Sequence, residues 1–427
     1  MIATIIISSV TFVLVALSIL FLPTIKICKF NLSTYWIVAL VGAFVLLMAN
    51  LAPIKLVFNQ LTANTAVNPI KIIVLFFSMT VLSIYLDEVG LFRYLANAAI
   101  KKAGNNQFAL FTVLYFLVAV LTIFTSNDIV ILTFTPFICF FCKNAKINPI
   151  PYLVAEFTAA NTWSLMLLIG NPTNIYLATS ANIGFFEYVK VMAVPTIVCG
   201  FAEYALLVLL FSKKLKEPLD THVEDYHIEN KVSLFVGLGH LLTCLLFLII
   251  SGYIHVEMWL VSFVCACSLL TFALIMSLVT KKDWHHLTGS LKKLPYQLIP
   301  FFLSMFVIVV ALNYQGISAN LAKFLGNSHI VWTYGYSSFI ACNLINNIPM
   351  SILYSNICSN RLATFASIIG SNIGAFLTPI GALAGIMFTN LVNTHDVKYS
   401  FFDFAKYGAI ISFPVITIAL GMLILAR

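Results

Sequence analysis

Long apolar runs alternate with short polar interruptions along nearly the whole chain, and the runs have the length of membrane crossings. A helix needs about 20 apolar residues to cross a hydrocarbon core. Runs of that order occur at 2–22, 34–52, 71–89, 187–211, 233–252, 257–279 and 406–425, with a shorter one at 296–312. Helix is the default for such segments, because unpaired backbone is excluded from lipid and a barrel would alternate polar and apolar residues. The first run lacks a basic flank and a small-residue cleavage site, so it reads as a first membrane helix rather than a cleaved signal.

Two polar islands break this pattern. In the first, Thr125-Ser126-Asn127-Asp128 lies between apolar runs at 108–124 and 129–142. A span from Pro151 then passes Asn161-Thr162 to Leu168, breaks at Gly170-Asn171-Pro172-Thr173-Asn174, and resumes over 175–183. In the second, Asn343 and Asn346-Asn347-Ile348-Pro349 follow a run at 331–342. A segment at 362–376 carries Ser371-Asn372 and breaks at Thr378-Pro379-Ile380-Gly381 before 382–392. Proline cannot donate a backbone hydrogen bond and disfavours helix at the residue before it. Such breaks are tolerated in membranes where the freed backbone lines a cavity.

Charge supplies the topology. Lysines and arginines at 26–29, 93–102, 143–146, 213–231, 281–293 and 398–406 fit one side, which the positive-inside rule makes cytoplasmic. Lys55, Lys71, Lys323 and Arg361 are sparse exceptions. Both flanks of 108–142 are then cytoplasmic, which predicts a helical hairpin that enters the membrane and returns. Two full spans joined by an external turn at 125–128 are the alternative, since each arm is near the minimum spanning length. The predicted fold is an all-α polytopic membrane protein with about ten transmembrane helices plus two re-entrant hairpins near residues 127 and 346, its N-terminus outside the cytoplasm. The predicted halves are 1–211, with a first repeat over 34–211, and 232–427, with an inverted repeat over 257–427; a charged cytoplasmic linker at 212–231 separates them.

Composition agrees: 61% of the 427 residues are hydrophobic and 9% are charged, too few to cover a water-facing surface. The net charge of +8 is accounted for by topology and does not indicate nucleic acid. The nine cysteines have no CxxC and no metal spacing, and read as small buried hydrophobes. No HExxH, P-loop or GxSxG is present, so neither an enzyme, a resident cofactor nor intrinsic ATP coupling is expected. His285-His286, beside lysines and a tryptophan, reads as loop surface.

Matched breaks in two inverted halves point to a secondary transporter with a midplane site. A half-helix N-terminus presents free amides that suit an anion or a polyhydroxyl solute, and carbonyls at the end of the preceding half suit a cation. The candidate solute- or ion-binding residues are Ser126, Asn127, Asp128, Asn161, Asn171, Thr173, Asn174, Asn343, Asn346, Asn347, Asn372, Thr378 and Gly381. Asp128 is the acidic candidate for the coupling ion, because a carboxylate within an apolar hairpin marks a site or proton relay. Asp87 and Glu88 read as a helix end; Glu156 and Glu203 are placed within spans without assigned partners.

Leu86-Asp87-Glu88-Val89-Gly90, Ser126-Asn127-Asp128 through Thr135-Pro136, Asn346-Asn347-Ile348-Pro349 and Thr378-Pro379-Ile380-Gly381-Ala382-Leu383-Ala384 resemble the ion transporter superfamily. That group includes ArsB-type arsenite/antimonite exporters, NhaD-type sodium/proton antiporters, and citrate and dicarboxylate carriers; these motifs are most similar to the arsenite branch. The resemblance covers about residues 35–425. It implies a ten-span inverted-repeat fold exporting As(OH)3 or Sb(OH)3 against protons, in some members with a soluble ATPase subunit. Gly170-Asn171-Pro172-Thr173-Asn174 departs toward the Gly-x-Pro-Thr-Asn break of the anion and cation branches. The Ser-Asn-Thr signature of the dicarboxylate symporters is missing at 126–128 and 346–348. The expected function is alternating-access export of arsenite or antimonite coupled to protons in a bacterial inner membrane. The alternatives are a citrate or organic-anion permease, with sodium at the hairpin tips, and a sodium/proton antiporter. A homodimer is left open, because lipid-facing and subunit-facing surfaces are both apolar.

Overall fold

Asparagines and prolines that interrupt the apolar runs act as helix starts in the computed structural model, which describes every residue except 23, 28–29, 66–67, 218–226, 252, 281–283, 396 and 427. The first half opens with α1 (Ile2–Phe21), an antiparallel ribbon of β1 (Thr24–Ile27) and β2 (Phe30–Ser33), α2 (Thr34–Met48), α3 (Ile54–Thr62), α4 (Pro69–Glu88) and α5 (Leu91–Ala103). It continues through α6 (Gln107–Phe124), α7 (Asn127–Asn144), α8 (Ile150–Trp163), α9 (Pro172–Ser180) and α10 (Phe185–Phe211). The second half comprises α11 (Lys231–Ile250), α12 (Met258–Thr280), α13 (Trp284–Lys292), α14 (Leu298–Tyr314) and α15 (Ile317–Leu325). It ends with α16 (Ile330–Ile345), α17 (Asn347–Tyr354), α18 (Arg361–Gly374), α19 (Leu383–Thr394) and α20 (Phe401–Leu425).

The cap chemistry is local and regular. Asn68 accepts from the backbone of Ile70 and Lys71 ahead of Pro69, and Asn106, Asn230 and Asn360 open α6, α11 and α18 in the same manner. Each satisfies amides that a helix start leaves unpaired, and proline at the first position loses nothing by lacking an N–H.

Among the described residues, α1, α4, α6, α10, α11, α12 and α20 are long and apolar enough to cross a bilayer. The pair α14 and α15, bent by 78° at its break, brings the count from seven to eight, and α2 is a shorter apolar helix. The protein is thus an all-α polytopic membrane protein carrying one short β-ribbon. Several expectations change. The connection after the first span forms the ribbon, and the loop after the second contains α3. The span expected to reach Leu168 stops at Trp163, because Asn171 and Pro172 cap and begin α9 instead of merely breaking α8. His286 is buried on α13 against Tyr85, with ring centroids 6.1 Å apart, so it is not surface, whereas His285 is exposed on the same helix. Asp220, Glu224 and Asp225 of the expected linker, together with Cys28, Lys29, Lys281 and Lys282, lie outside the described residues.

Packing relates the halves by pairs. α6, α7 and α10 each pack on α8, and α16, α17 and α20 each pack on α18. The halves also interlock crosswise: α7 lies on α19, and α17 on α9. These matching contacts are symmetric between the halves and point to inverted repeats. α16 and α18 lie in close contact at Gly370 and Gly374, a small-xxx-small pair of the kind that lets membrane helices touch. A Cβ on Gly370 would strike the Gly335 carbonyl and Ser338 Oγ.

Ion pairs join the halves at both ends of α4. Lys71 lies 2.5 Å from Glu257, while Lys293 reaches Asp87 at 2.9 Å and Glu88 at 2.7 Å. The acidic pair expected at a plain helix end is therefore a tether. Arg361, at the start of α18, meets Glu187 of α10 at 2.6 Å.

Candidate functional site

The first tip is a two-residue connection, Thr125-Ser126, between α6 and α7, with Asn127 and Asp128 in the first turn of α7. All four residues are buried, so the turn is not an exposed loop. Asn127 donates from Nδ2 to Asn161 Oδ1 at 3.1 Å, joining the tip to α8. Ser126 Oγ and Asn127 Oδ1 are buried without a partner. Among the described residues the Asp128 carboxylate has no ion-pair or hydrogen-bond partner, and the buried Tyr35 of α2 is its electrostatic neighbour. Its position in the first turn of α7 places it at the positive end of that helix.

The second tip differs in form. α16 continues through Asn343 to Ile345, so Asn343 sits in its last turn and not in the turn itself. Asn346 alone connects α16 to α17 and adopts φ +72°, ψ 154°, a region that side chains rarely occupy. Its Oδ1 accepts from Ile348 N and its Nδ2 donates to the Ile380 carbonyl at 2.9 Å. Asn343 donates to the Gly374 carbonyl at 2.9 Å and accepts from Thr378 Oγ1 at 2.7 Å, which ties this tip to the break after α18. Asn347 Oδ1 is buried without a partner.

The two breaks share a close contact. Gly170 and Gly381 each follow an in-helix asparagine, Asn161 or Asn372, by nine positions. A Cβ on Gly170 would strike the Ser164 carbonyl, and one on Gly381 would come to 2.9 Å from both the Gly374 carbonyl and Asn343 Oδ1. The chain can fold back against the end of the preceding half-helix only where no side chain intervenes.

Between the breaks lies a buried network that crosses the halves. Asn372 Oδ1 accepts from Ser164 Oγ at 2.8 Å and from Asn171 Nδ2 at 3.0 Å. Its Nδ2 donates to Asn174 Oδ1 at 2.6 Å and to the Ile368 carbonyl at 2.8 Å. An amide side chain has two donor hydrogens and two lone pairs on oxygen, so Asn372 is fully used. Ser371 donates to Thr173 Oγ1 at 3.3 Å, while Asn171 Oδ1 receives the Thr173 backbone and hydroxyl. Asn174 Nδ2 closes onto the Ser164 carbonyl at 2.9 Å. Of the sequence-selected residues, Asn171, Thr173, Asn174 and Asn372 are thus joined here. Asn343, Asn346, Thr378 and Gly381 gather at the second tip and break, and Ser126, Asn127 and Asn161 gather at the first. Ser164, which no sequence signal marked, is central to the crossing network.

Two further carboxylates have hydroxyl partners and no cation among the described residues. Both oxygens of Glu156 lie 3.0 Å from Thr135 Oγ1, and Glu203 accepts from Thr162 Oγ1 and from Tyr115 Oη at 3.3 Å.

A model of the citrate-transporter family, CitMHS, matches residues 29–367. The chain is 24% identical over 404 residues to an arsenical pump membrane protein of Escherichia coli, covering 88% of this chain and 89% of that one. It is 24% identical over 418 residues to the arsenical pump membrane protein of Yersinia enterocolitica, covering 92% and 94%. The fold is similar to that of the Alcanivorax borkumensis YdaH transporter, with a TM-score of 0.54 and 14% identity over 99% of this chain and 97% of that one. The protein is a multi-pass bacterial inner-membrane transporter of small solutes, secondary-active, related to the arsenical pump proteins, and it belongs to the citrate-transporter family.

Proposed function

We propose that the protein is a cation-coupled permease for a small organic carboxylate of the citrate class. It works by alternating access on about ten spans with two re-entrant hairpins, α6–α7 and α16–α17. The repeats run over 34–211 and 257–427 within the halves 1–211 and 232–427, and the N-terminus lies outside the cytoplasm. The observation that carries this reading is the set of buried, unpartnered oxygens at the two tips: Ser126 Oγ, Asn127 Oδ1 and Asn347 Oδ1. Such groups are costly unless a ligand completes them. Ser126 Oγ and Asn127 Oδ1 beside Asp128 at the first tip, and Asn347 Oδ1 at the second, are oxygen donors of the kind a hard cation takes. The first turns of α7 and α19, which no side chain caps, offer unpaired amides to a carboxylate accompanying that cation. The crosswise contacts of α7 with α19 and α17 with α9 support both halves sharing the site. In this reading Asn161, Asn343, Asn346 and the crossing network of Asn171, Thr173, Asn174 and Asn372 hold the tips and breaks in shape.

The second reading is export of arsenite or antimonite. The similarity to arsenical pump proteins over most of both chains favours it, and a neutral hydroxylated solute could donate to the same unpartnered oxygens. A soluble ATPase subunit would belong to this reading; a homodimer fits either.

Purified protein in proteoliposomes tests both. Citrate uptake driven by a sodium or proton gradient, lost in Asn127→Ala and Asn347→Ala, supports the carboxylate reading. Arsenite movement without citrate uptake replaces it with the second.

A further inference from the structure

Lys71 is one of the few lysines that depart from the positive-inside pattern, and it borders a cavity of about 250 Å³ between the halves. Ile72 and Leu75 of α4, Ile183 after α9, and Met258 of α12 give this cavity apolar walls. Walls of that kind hold water poorly: an apolar cavity of about 150 Å³ stays dry and takes an apolar ligand. Two hydroxyls line the cavity as well. Ser251 is satisfied by the Leu248 carbonyl at 2.7 Å. The Thr179 hydroxyl of α9 is shielded from solvent and has no hydrogen-bond partner among the described residues.

The rim of the cavity is charged and aromatic. Trp259 donates from Nε1 to Glu257 Oε2 at 2.8 Å, and Lys71 Nζ lies 2.5 Å from the same oxygen and 5.9 Å from the centroid of the Trp259 ring. Both bonds fall on one oxygen, so Oε1 of the half-exposed Glu257 has no partner among the described residues. Lys71 also donates to Asn64 Oδ1, which leaves one of its three N–H groups unused among the described residues. Exposed apolar side chains flank the rim: Ile70 of α4, Tyr253 between α11 and α12, and Leu260 of α12. With Trp259 they mark the level at which a membrane meets water. A spare cationic donor and a spare carboxylate oxygen thus sit side by side over an apolar void.

We propose that this cavity holds one phospholipid with an ethanolamine headgroup. Its phosphate meets the free N–H of Lys71, and its ammonium donates to Glu257 Oε1. An ester carbonyl accepts from the Thr179 hydroxyl, and an acyl chain fills the void. A choline headgroup has no N–H to give the carboxylate, and a glycerol headgroup has no cation for it. On the topology proposed above, α4 starts at the extracytoplasmic face, so the lipid belongs to the outer leaflet. It touches α4 and α9 of the first half and α12 of the second. It thereby stands at the far end of the helix that begins at the first break, and its recognition is independent of the solute carried.

Brominated acyl chains quench a tryptophan they touch, and among five tryptophans the difference between wild type and Trp259→Phe isolates the Trp259 signal. The protein is placed in phosphatidylcholine vesicles carrying a rising fraction of one brominated lipid. Brominated phosphatidylethanolamine is expected to quench Trp259 at about two- to fivefold lower mole fraction than brominated phosphatidylcholine or phosphatidylglycerol, the worth of one half-exposed ion pair. Glu257→Gln keeps the size of the side chain and removes its charge. It is expected to abolish the ethanolamine preference and to favour phosphatidylglycerol, because Lys71 then answers only to the phosphate. Ile183→Phe narrows the void and is expected to bring quenching by the ethanolamine lipid down to that of the choline lipid, which keeps the test open if Glu257→Gln does not fold. Equal quenching by the three lipids, a wild-type preference for phosphatidylglycerol, or a Trp259 signal that none of them quenches overturns the proposal. An ethanolamine preference that survives Glu257→Gln overturns it as well.

Discussion

The two halves share a frame and divide its labour. Aligned on Asn161 and Asn372, Gly370 and Gly374 of α18 fall opposite Ala159 and Trp163 of α8. The glycines let α18 lie directly against α16. Trp163 instead fills the space beside Gly200 and donates to Tyr115, keeping helices apart around Glu203. Charge divides the same way. Asp128, Glu156 and Glu203 all belong to the first half, whereas α16 to α19 contain no acid and α20 only Asp403 in its first turn. Matched helices set where the breaks meet, and the unmatched residues set what each half holds: charge in the first, a tight joint in the second.

The sharpest test of that contrast is the asparagine pair. Asn372→Ala strands Ser164, Asn171 and Asn174 together, and is expected to destabilise the fold by about 2–4 kcal/mol. Asn161→Ala loses the bond to Asn127 and the one to the Phe157 carbonyl, so its effect should fall on transport more than on melting in detergent. Equal losses of melting temperature would dissolve the distinction. Next is helix approach. Gly370→Ala must push α16 and α18 apart, for about 1–3 kcal/mol, whereas Ala159→Gly in the other half should cost only about 0.5–1 kcal/mol of helix propensity. At the tips, Asn346→Gly suits the backbone and Asn346→Ala does not. Alanine should be the less stable by about 1 kcal/mol, while Ser126, with φ −145°, should show no such preference in the same melting assay. The smallest effect concerns the rim. The Lys71 ammonium, hydrogen-bonded to it, holds the Glu257 carboxyl below the ordinary glutamate value. A depressed folded value means the pair stabilises above the unfolded glutamate value of about 4.3, and the gain is lost as pH falls through the folded one. Glu257→Gln should therefore melt slightly lower than wild type at neutral pH and together with it once both are taken below that range.

Much of this was legible from the chain. The apolar runs, the two islands and the glycine–proline breaks need only periodicity and local backbone chemistry, and they fall where helices end. The reach of each break was less legible. Asn171-Pro172 is as good a helix start as a helix breaker, and only the fold-back of Gly170 onto Ser164 shows that α8 had already ended. The partners of Glu156 and Glu203 were not legible at all. Thr135, Thr162 and Tyr115 are remote or unremarkable in sequence, and tertiary packing alone brings them to the carboxylates. Ser164 escaped notice for the same reason: a serine near a helix end carries no signal of the asparagine it will meet on another half.

The tethering of α4 has a consequence for the lipid around the protein. Its 20 residues rise about 30 Å, the usual hydrocarbon thickness. Lys71–Glu257 at one end and Lys293 with Asp87 and Glu88 at the other fix both ends to the second half. An ordinary membrane helix adapts to a thicker or thinner bilayer by tilting. A helix largely enclosed by its neighbours and anchored at both ends to the other half has little freedom to do so. α4 thereby acts as a ruler, and the protein should work best in bilayers whose acyl chains match its length.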